Sequence, residues 1–387
     1  TYSSGMKEKT SALHSKYIID GVSRQLTPAE MLNDCLAVKE CSSTNKSEAY
    51  EPIVDESTDP SPSLRHFKDQ DISLYLSKVL SLHGEPKPFP TAFSESYTKS
   101  RIAQTLLEAI WLNGHFKLGD LAIAAKWHWN PRPIGNMAAF YSSVEATADY
   151  TDGLGICLSG YSFTESSQLC QATFKVGASE RSDNFEQDEI FLPTDTPFGS
   201  EHPSLGRLRA LPDKLAGDPD SWIIYIPFDS CDFRLGNSLL CDILGQNGDN
   251  FPEIGDADYF IDCYEVVREF VEDKVAVSGI TVSDGGLLTA LKLMCSETVG
   301  AEIDISGIMN AYDEDDRIRI LFSEIPGAII QIKDIDYDYV DAELLLQDIA
   351  YYPIGHPVPG GSDVSVKAAQ GNGISNILQS LLSSQAS

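Results

Sequence analysis

Apolar residues in the first half of the chain recur at helical spacing in three stretches, residues 72–82, 97–112 and 137–151. Runs that favour strands lie between and after them, at residues 121–129, 154–158 and 171–176. Ser159-Gly160 follows the second run and predicts a turn there. In the helix predicted at 97–112, one face collects the bulkiest apolar side chains: Ile102, Leu106, Leu107, Ile110 and Trp111.

The second half of the chain alternates predicted strands with predicted helices. Buried-strand patterns occur at residues 221–227, 276–282 and 328–332. Helical patterns occur at residues 238–244, 259–272, 286–295 and 341–349. This alternation predicts an α/β or α+β fold, with mixed sheets and helices packed outside them.

Composition divides the chain into five segments. Residues 1–70 are polar and rich in turn formers, which predicts a poorly packed leader or linker, with an interaction segment as the alternative. Residues 179–220 are charged and rich in Pro and Gly, which predicts an acidic excursion at a domain boundary. On either side we expect two α/β sub-domains, 71–178 and 221–366, and a Gly/Ser/Gln-rich tail follows at 367–387.

Acidic residues dominate the charge of the chain. It carries 28 Lys and Arg against 58 Asp and Glu, a formal net charge of -30. Such a surface repels nucleic-acid backbones and anionic lipid headgroups, so we expect no direct contact with nucleic acid or membranes. No apolar run reaches the ~20 residues of a membrane helix. A basic protein partner or a divalent cation is easier to accommodate.

Eight cysteines stand apart, without a Cys-x-x-Cys pair or a zinc-ligand spacing. Most lie in apolar runs, where a reduced cysteine packs as a small hydrophobic residue. The pattern predicts a reducing, intracellular environment and no metal site. The chain opens on Thr1 rather than on Met, and we expect it to be a piece of a longer polypeptide.

A glycine-rich turn between a predicted strand and a predicted helix is the most specific motif. Ser283-Asp284-Gly285-Gly286 follows the strand at 276–282, and its two glycines let a phosphate or a metal approach the backbone. The plainer interpretation is a capped helix after a tight turn. Two further segments accompany the turn, RLGNS at 234–238 and LFSEIPGAII at 321–330.

In this order, these segments resemble the carboxy-terminal half of phosphoribosylformylglycinamidine synthase, the amidotransferase of purine synthesis. That half is itself similar to one protomer of aminoimidazole ribonucleotide synthetase, and the resemblance extends over residues 74–366. It implies a synthetase-like fold of two sub-domains, the first of which forms a barrel-like sheet against a partner repeat. It also implies the remnant of a nucleotide and metal site, made of Gly236, Ser238, Ser283, Asp284, Gly285 and Gly286.

Several positions depart from the pattern that the resemblance implies. The family has Gly-Lys-Asp-Ser where this chain has Tyr161 and Ser162, so a lysine for phosphate and an aspartate for magnesium are missing. A Glu and an Asn able to hold a metal correspond to Thr105 and Ala109, although Glu108 lies close by in a shifted register.

Further departures lie around the glycine turn and in the first sub-domain. The His-Asp that precedes the turn in the family corresponds to Ile280 and Thr281, and two polar family positions correspond to Lys126 and Asn136. The connection between residues 83 and 97 is also shorter than in the family and lacks a nucleotide-site acid. Together these substitutions predict that nucleotide turnover has been lost and that no residue is catalytic.

Short pieces of the leader carry a second resemblance. Residues 29–34 and 54–63 are similar to gammaherpesvirus tegument proteins, which contain a synthase-like body with eroded sites. As a group those proteins antagonise host nuclear-body antiviral defences. The resemblance implies a virion tegument protein that reaches the host nucleus and contacts host nuclear proteins.

Three other features have plain structural explanations. His128, between two tryptophans, is expected to be a packed or surface residue. The acidic runs at 313–316 and 334–338 are expected to be solvated turns and not calcium loops. Four tyrosines are either core residues or a partner-binding patch: Tyr337, Tyr339, Tyr351 and Tyr352.

The leading hypothesis is a synthase-like pseudoenzyme without a cofactor that acts as a protein-interaction scaffold. The first alternative is the structural half of an active synthase, which amidates formylglycinamide ribonucleotide with glutamine and uses ATP or ADP with Mg. The second is a nucleotide- or metal-sensing module built on Asp284. We expect a first synthetase-like repeat and a glutaminase-like domain in the same polypeptide, because this half would otherwise expose a large apolar sheet face. The expected location is the cytoplasm or, for a viral protein, the tegument and the host nucleus.

Overall fold

The structure is a computed structural model that describes residues 11–37, 50–63, 66–178 and 209–367. The described residues of the segment predicted to be a polar leader are folded. They form helices α1 (Ser11–His14) and α2 (Pro28–Asp34) and a sheet of order β2-β1-β3, with strands β1 (Tyr17–Ile19), β2 (Val22–Ser23) and β3 (Ile53–Asp55). Tyr17, Ile19 and Leu32 are buried in the main core. The linker prediction is therefore corrected here: short apolar runs pack, although their neighbours are polar.

The middle of the chain contains three helices and a three-stranded sheet. The elements are α3 (Ile72–Leu82), α4 (Ser94–Leu107), β4 (Leu121–Trp129), α5 (Asn136–Gly153), β5 (Cys157–Glu165) and β6 (Gln171–Ala178). Strand β4 lies in the centre, parallel to β5 and antiparallel to β6. The turn predicted at Ser159-Gly160 is wrong, because β5 continues through it. Leu158 pairs with Ile123 and Gly160 with Ala124, so Ser159 is accommodated as a bulge.

The rest of the chain forms a six-stranded sheet of order β12-β9-β11-β7-β10-β8. Its strands are β7 (Trp222–Pro227), β8 (Ala276–Val282), β9 (Val299–Ile303), β10 (Gly327–Ile332), β11 (Tyr352–Pro359) and β12 (Val364–Val366). Its helices are α6 (Leu239–Leu244), α7 (Ala257–Glu272), α8 (Gly286–Met294), α9 (Ser306–Tyr312), α10 (Arg317–Phe322) and α11 (Tyr337–Leu346). Helix α11 begins at Tyr337 and not at residue 341, where the sequence predicted its start.

The six-stranded sheet separates two apolar cores. Along β7, Ile224 and Ile226 enter the core shared with α4, α5 and α7, whereas Ile223 and Tyr225 enter the core shared with α3, α6 and α8. Burial on both faces explains why β7 and β10 appear in the sequence as continuous apolar runs. Helix α3, assigned by the sequence to the first sub-domain, packs into the second core. The predicted mixed α/β fold is confirmed.

The two faces of the three-stranded sheet differ around its middle. Trp127, Phe163 and Phe174 are buried on its inner face. The alternate position Lys126 faces outward, and it pairs with Ser162 on one side and Thr173 on the other. The partner repeat expected against this sheet stays a prediction.

An aspartate of the leader caps the long helix α5. The carboxylate of Asp55 accepts hydrogen bonds from the amides of Gly135, Met137 and Ala138, at 2.8, 2.8 and 2.9 Å. The first amides of a helix have no partner within the helix, so this carboxylate satisfies three of them. This long-range contact connects the leader to helix α5.

Parts of three predicted segments lie outside the described residues, namely 1–10, 38–49 and 64–65 of the leader, 179–208 of the acidic excursion and 368–387 of the tail. The described remainder of the excursion is packed, since Leu211 and Leu215 are buried. Across the described ranges, no helix is both long enough and apolar enough to cross a membrane.

Candidate functional site

The glycine-rich turn joins β8 to α8 and packs closely against two other helices. Gly285 and Gly286 have positive φ angles of 87° and 72°. A Cβ on Gly285 would lie 2.7 Å from Val79 Cγ1 of α3, and one on Gly286 would lie 2.7 Å from the backbone of Phe322 in α10. The Gly286 amide also donates to the carbonyl of Ser283 at 3.0 Å. Backbone conformation and packing therefore account for both glycines without a ligand.

The aspartate of this turn is bound by an arginine from α4. Arg101 Nη2 lies 2.9 Å from Asp284 Oδ1, and its two terminal nitrogens donate to Oδ2 at 3.1 and 3.2 Å. Each of the two side chains is 15% exposed. The guanidinium also stacks 5.0 Å from the ring centre of Tyr97 and donates to Gln104. Both oxygens of Asp284 are thus engaged within the chain.

A second buried ion pair adjoins the first. Lys87 Nζ lies 3.5 Å from Glu324 Oε2, and both side chains are 6% exposed. The amine also donates to the carbonyl of Asn237 at 2.7 Å and lies 3.7 Å from Asp242. Lys87 lies in the connection between α3 and α4, so this connection supplies a positive charge to the site.

Glu324 joins the first turns of two helices. Its Oε1 accepts hydrogen bonds from the amide of Leu239, which begins α6, at 2.7 Å and from the amide of Gly285, which precedes α8, at 2.9 Å. A carboxylate at a helix N-terminus is favoured by the helix dipole. Glu324 therefore holds together the two segments that carry the predicted remnant site.

Opposite charges set the ionisation of this cluster. Burial would raise the pKa of Asp284, but Arg101 and then Lys87 outweigh it, and the pKa lies below its usual value. Burial raises the pKa of Glu324, and Lys87 offsets this only in part. Burial would lower the pKa of Lys87, but Glu324 and other carboxylates hold it above its usual value. The arrangement keeps Lys87 and Asp284 charged.

The other predicted remnant residues have structural roles beside Glu324. A Cβ on Gly236 would lie 2.4 Å from the backbone of Asn250, so the two segments touch there. Ser238 caps α6 by accepting a hydrogen bond from the amide of Cys241 at 3.3 Å. The structure thus brings all six predicted remnant residues to one place, around the Lys87 and Arg101 ion pairs.

Four of the positions that differ from the family lie next to α4. Thr105 Oγ1 donates to the carbonyl of Arg101 at 2.7 Å, and Ala109 is fully buried. Thr281, which follows Ile280 in β8, accepts a hydrogen bond from the indole of Trp111 at 2.8 Å. These side chains therefore serve packing and hydrogen bonding within the fold. Among the described residues, no group of three or more His, Cys, Asp or Glu could hold a metal ion.

The remaining four positions lie in and beside the three-stranded sheet. Tyr161 donates its hydroxyl to Asn33 of α2 at 2.9 Å, and Ser162 pairs with Lys126 across the sheet. Asn136 donates to the carbonyl of Asn130 at 2.8 Å at the start of α5. Each position now makes contacts within the protein.

Sequence reasoning missed three charged residues that define the site: Lys87, Arg101 and Glu324. No local signal marked Arg101, because the residues one helical turn away from it include Tyr97, Gln104 and Thr105, and such a mixed face does not predict a buried charge. The identity of the partners was not visible, since Asp284 lies 183 residues further along the chain.

Comparisons with known proteins show which sequences and folds this chain resembles. Residues 233–366 match the family described as AIR synthase related protein, C-terminal domain. The chain is 23% identical over 256 residues to the probable phosphoribosylformylglycinamidine synthase of Arabidopsis thaliana, over 66% of this chain and 17% of that protein. It is 22% identical over 255 residues to the human phosphoribosylformylglycinamidine synthase, over 65% of this chain and 18% of that protein. The chain thus spans less than a fifth of the length of these relatives.

A solved structure shares the fold. The T. maritima PurL complexed with FGAR superimposes with a TM-score of 0.51 at 13% sequence identity, over 70% of this chain and 40% of that one. At this identity the likeness establishes the fold alone. The chain therefore has a synthase-like α/β fold related to phosphoribosylformylglycinamidine synthase, with an AIR-synthase-type C-terminal domain at residues 233–366.

Proposed function

We propose that this chain is a synthase-like module that does not turn over nucleotide and that acts through contacts with other proteins. The observation that carries the proposal is the buried bidentate pair of Arg101 and Asp284. A magnesium ion at Asp284 would have to displace the guanidinium. Displacement would leave the buried guanidinium of Arg101 without its carboxylate, and an uncompensated buried charge costs about 3–5 kcal/mol.

Charge supports the same proposal. A nucleotide phosphate requires local positive charge or a bound metal. Lys87 and Arg101, the two cations at this site, are committed to Glu324 and Asp284. Thr105 and Ala109 lack the carboxylate and amide that would hold a metal beside them. The residues present do not fit a magnesium-bound nucleotide.

The melting temperature of the chain tests this proposal. Measured with millimolar Mg-ATP or Mg-ADP, it should equal that in magnesium chloride of the same ionic strength. Ligand binding stabilises a fold by mass action, by about 2.7 kcal/mol at a hundredfold excess over Kd. A rise of several degrees with either nucleotide would defeat the proposal.

The alternative is the structural half of an active synthase, and the names of the Arabidopsis and human relatives favour it. A longer polypeptide that contains this chain would then restore growth of a purine-auxotrophic strain. We expect no growth above the empty vector. Growth above the empty vector would establish the alternative.

The finer proposal is a tegument protein that counters host nuclear defences, on the strength of the leader resemblance. It predicts that an antibody against the chain detects the protein in purified, protease-treated virions and later in the nuclei of infected cells. Absence from virions would exclude the tegument role and leave the scaffold proposal intact.

A further inference from the structure

Apolar side chains are exposed along one side of helix α11, and we name them the α11 stripe: Ile335, Tyr339, Ala342 and Leu346. Ile335 lies in the short 3-10 turn before the helix, and the spacing of the four residues places them on one side. Ile335 is 86% exposed, Tyr339 44% and Leu346 76%. Leu345, 63% exposed, lies beside the stripe.

The opposite side of α11 is already used for folding. Val340 and Leu344 are fully buried in the core beneath the six-stranded sheet. A helix that packs on a domain normally shows one apolar and one polar side. Here the second side is apolar too, and the spacing of three and four residues is that of a helix–helix contact.

Carboxylates surround the α11 stripe. The segment from Lys333 to Asp348 carries one basic residue and six acidic ones: Asp334, Asp336, Asp338, Asp341, Glu343 and Asp348. Glu269 in α7 and Asp273 just after it add two more carboxylates. Burial raises the pKa of Tyr339, and Glu343, Asp273 and Glu269 raise it further. The ring of Tyr339 packs 6.2 Å from that of Phe270, which fixes its position.

A surface hollow lies at the N-terminal end of the stripe. Its lining includes Ile335, His356, one basic residue, Lys333, and three acidic ones, Asp218, Asp220 and Asp334. Trp222 lies beside it: its indole donates to Asp334 at 2.8 Å, and its ring is 4.2 Å from that of His356. The hollow therefore places acidic groups next to packed aromatic rings. This combination suits a long basic side chain.

We infer that the α11 stripe is a docking surface for an amphipathic helix of a partner protein, whose apolar residues are flanked by lysine or arginine. The apolar residues supply the contact, and the acidic rim selects a basic partner by charge complementarity. This inference deepens the proposed scaffold function and rests on it.

Two other occupants are less compatible with the charges. A second copy of the chain would bring the same acidic rim against this one, and like charges repel. The chain's own residues 368–387 contain no charged side chain, so they leave the carboxylates unpaired. Both remain distinguishable outcomes of the experiment.

The test measures binding of a labelled synthetic helical peptide by fluorescence anisotropy. Its leucines follow the spacing of the stripe and its flanks carry lysine, and a scrambled peptide of identical composition is the control. We expect saturable binding of the first peptide only. Ile335→Ser/Leu346→Ser should weaken it at least about tenfold, the effect of losing central contacts. Leu169→Ser, at a site 60% exposed outside the stripe, should leave it unchanged.

Four results would overturn the inference. Equal binding of the scrambled peptide would reduce the effect to charge alone, and unchanged binding by the double variant would place the site elsewhere. Dimerisation that the double variant abolishes would assign the stripe to a second copy. Tighter peptide binding by a chain ending at Lys367 would assign it to the tail. Nucleotide stabilisation would defeat the scaffold function without affecting these binding results, so the two failures are separable.

Discussion

Lys87 and Arg101 place two positive charges inside the protein, opposite carboxylates that come from distant parts of the chain. Burial of an ion is unfavourable unless its partner and hydrogen bonds compensate for the lost water. Arg101 meets this requirement through a bidentate contact with Asp284. Lys87 meets it through Glu324 and the carbonyl of Asn237. The cluster therefore stabilises the fold only when it is complete.

Removal of the guanidinium should destabilise the chain strongly. Arg101→Met leaves Asp284 buried without its partner, and we expect the free energy of unfolding to fall by about 3–5 kcal/mol. Denaturant titration measures this change, with Arg132→Met as the control because Arg132 is exposed. The double variant Arg101→Met/Asp284→Leu should be more stable than Arg101→Met. A loss no larger than in the control would show that the pair does not hold the fold.

The same pair predicts a pH dependence of stability. The pKa of Asp284 is lowered in the folded chain, so its contribution is present above its unfolded pKa and is lost as pH falls through the folded pKa. The difference in melting temperature between wild type and Asp284→Asn should therefore be largest near neutral pH and should shrink in strong acid. Glu324 acts in the opposite sense, because its pKa is raised. A difference that stays constant down to strongly acidic pH would contradict the assignment.

At the scale of elements, the contact between the leader and α5 has a measurable consequence. Asp55→Ala removes the carboxylate that binds three amides of the helix, and loss of a helix cap costs about 0.5–2 kcal/mol. We expect a loss near the top of that range in denaturant titrations. Asp59→Ala, at an exposed position of the same segment, should have no effect. Equal stability of the two variants would argue that α5 does not need the leader.

The sequence predicted those elements whose apolar pattern is strong, such as α3, β4 and β8. It did not predict β9, β11 or β12. Strand β11 contains Pro353, Pro357 and Pro359, and proline removes the signal of a central strand. The glycine turn was predicted, and its location is correct. The ion pairs were not, because contacts such as that of Lys87 with Glu324, 237 residues apart, leave no local pattern.

At the scale of the whole molecule, two features act together. The six-stranded sheet is covered on both faces by the chain's own helices, and the cluster beside it is neutralised by the chain's own cations. Most of the net charge of -30 lies outside that cluster, where it can contribute to the binding of partners. The proposed basic partner would be attracted by this charge and held by apolar contacts.

Calorimetric titration of Mg-ATP into the chain tests the central claim most directly, because it reports binding whether or not catalysis follows. Wild type and Asp284→Ala are titrated side by side, with magnesium chloride alone as the reference. We predict no saturable heat in either protein. Saturable binding to wild type that Asp284→Ala abolishes would contradict the account, because it would show a working nucleotide site at the glycine turn.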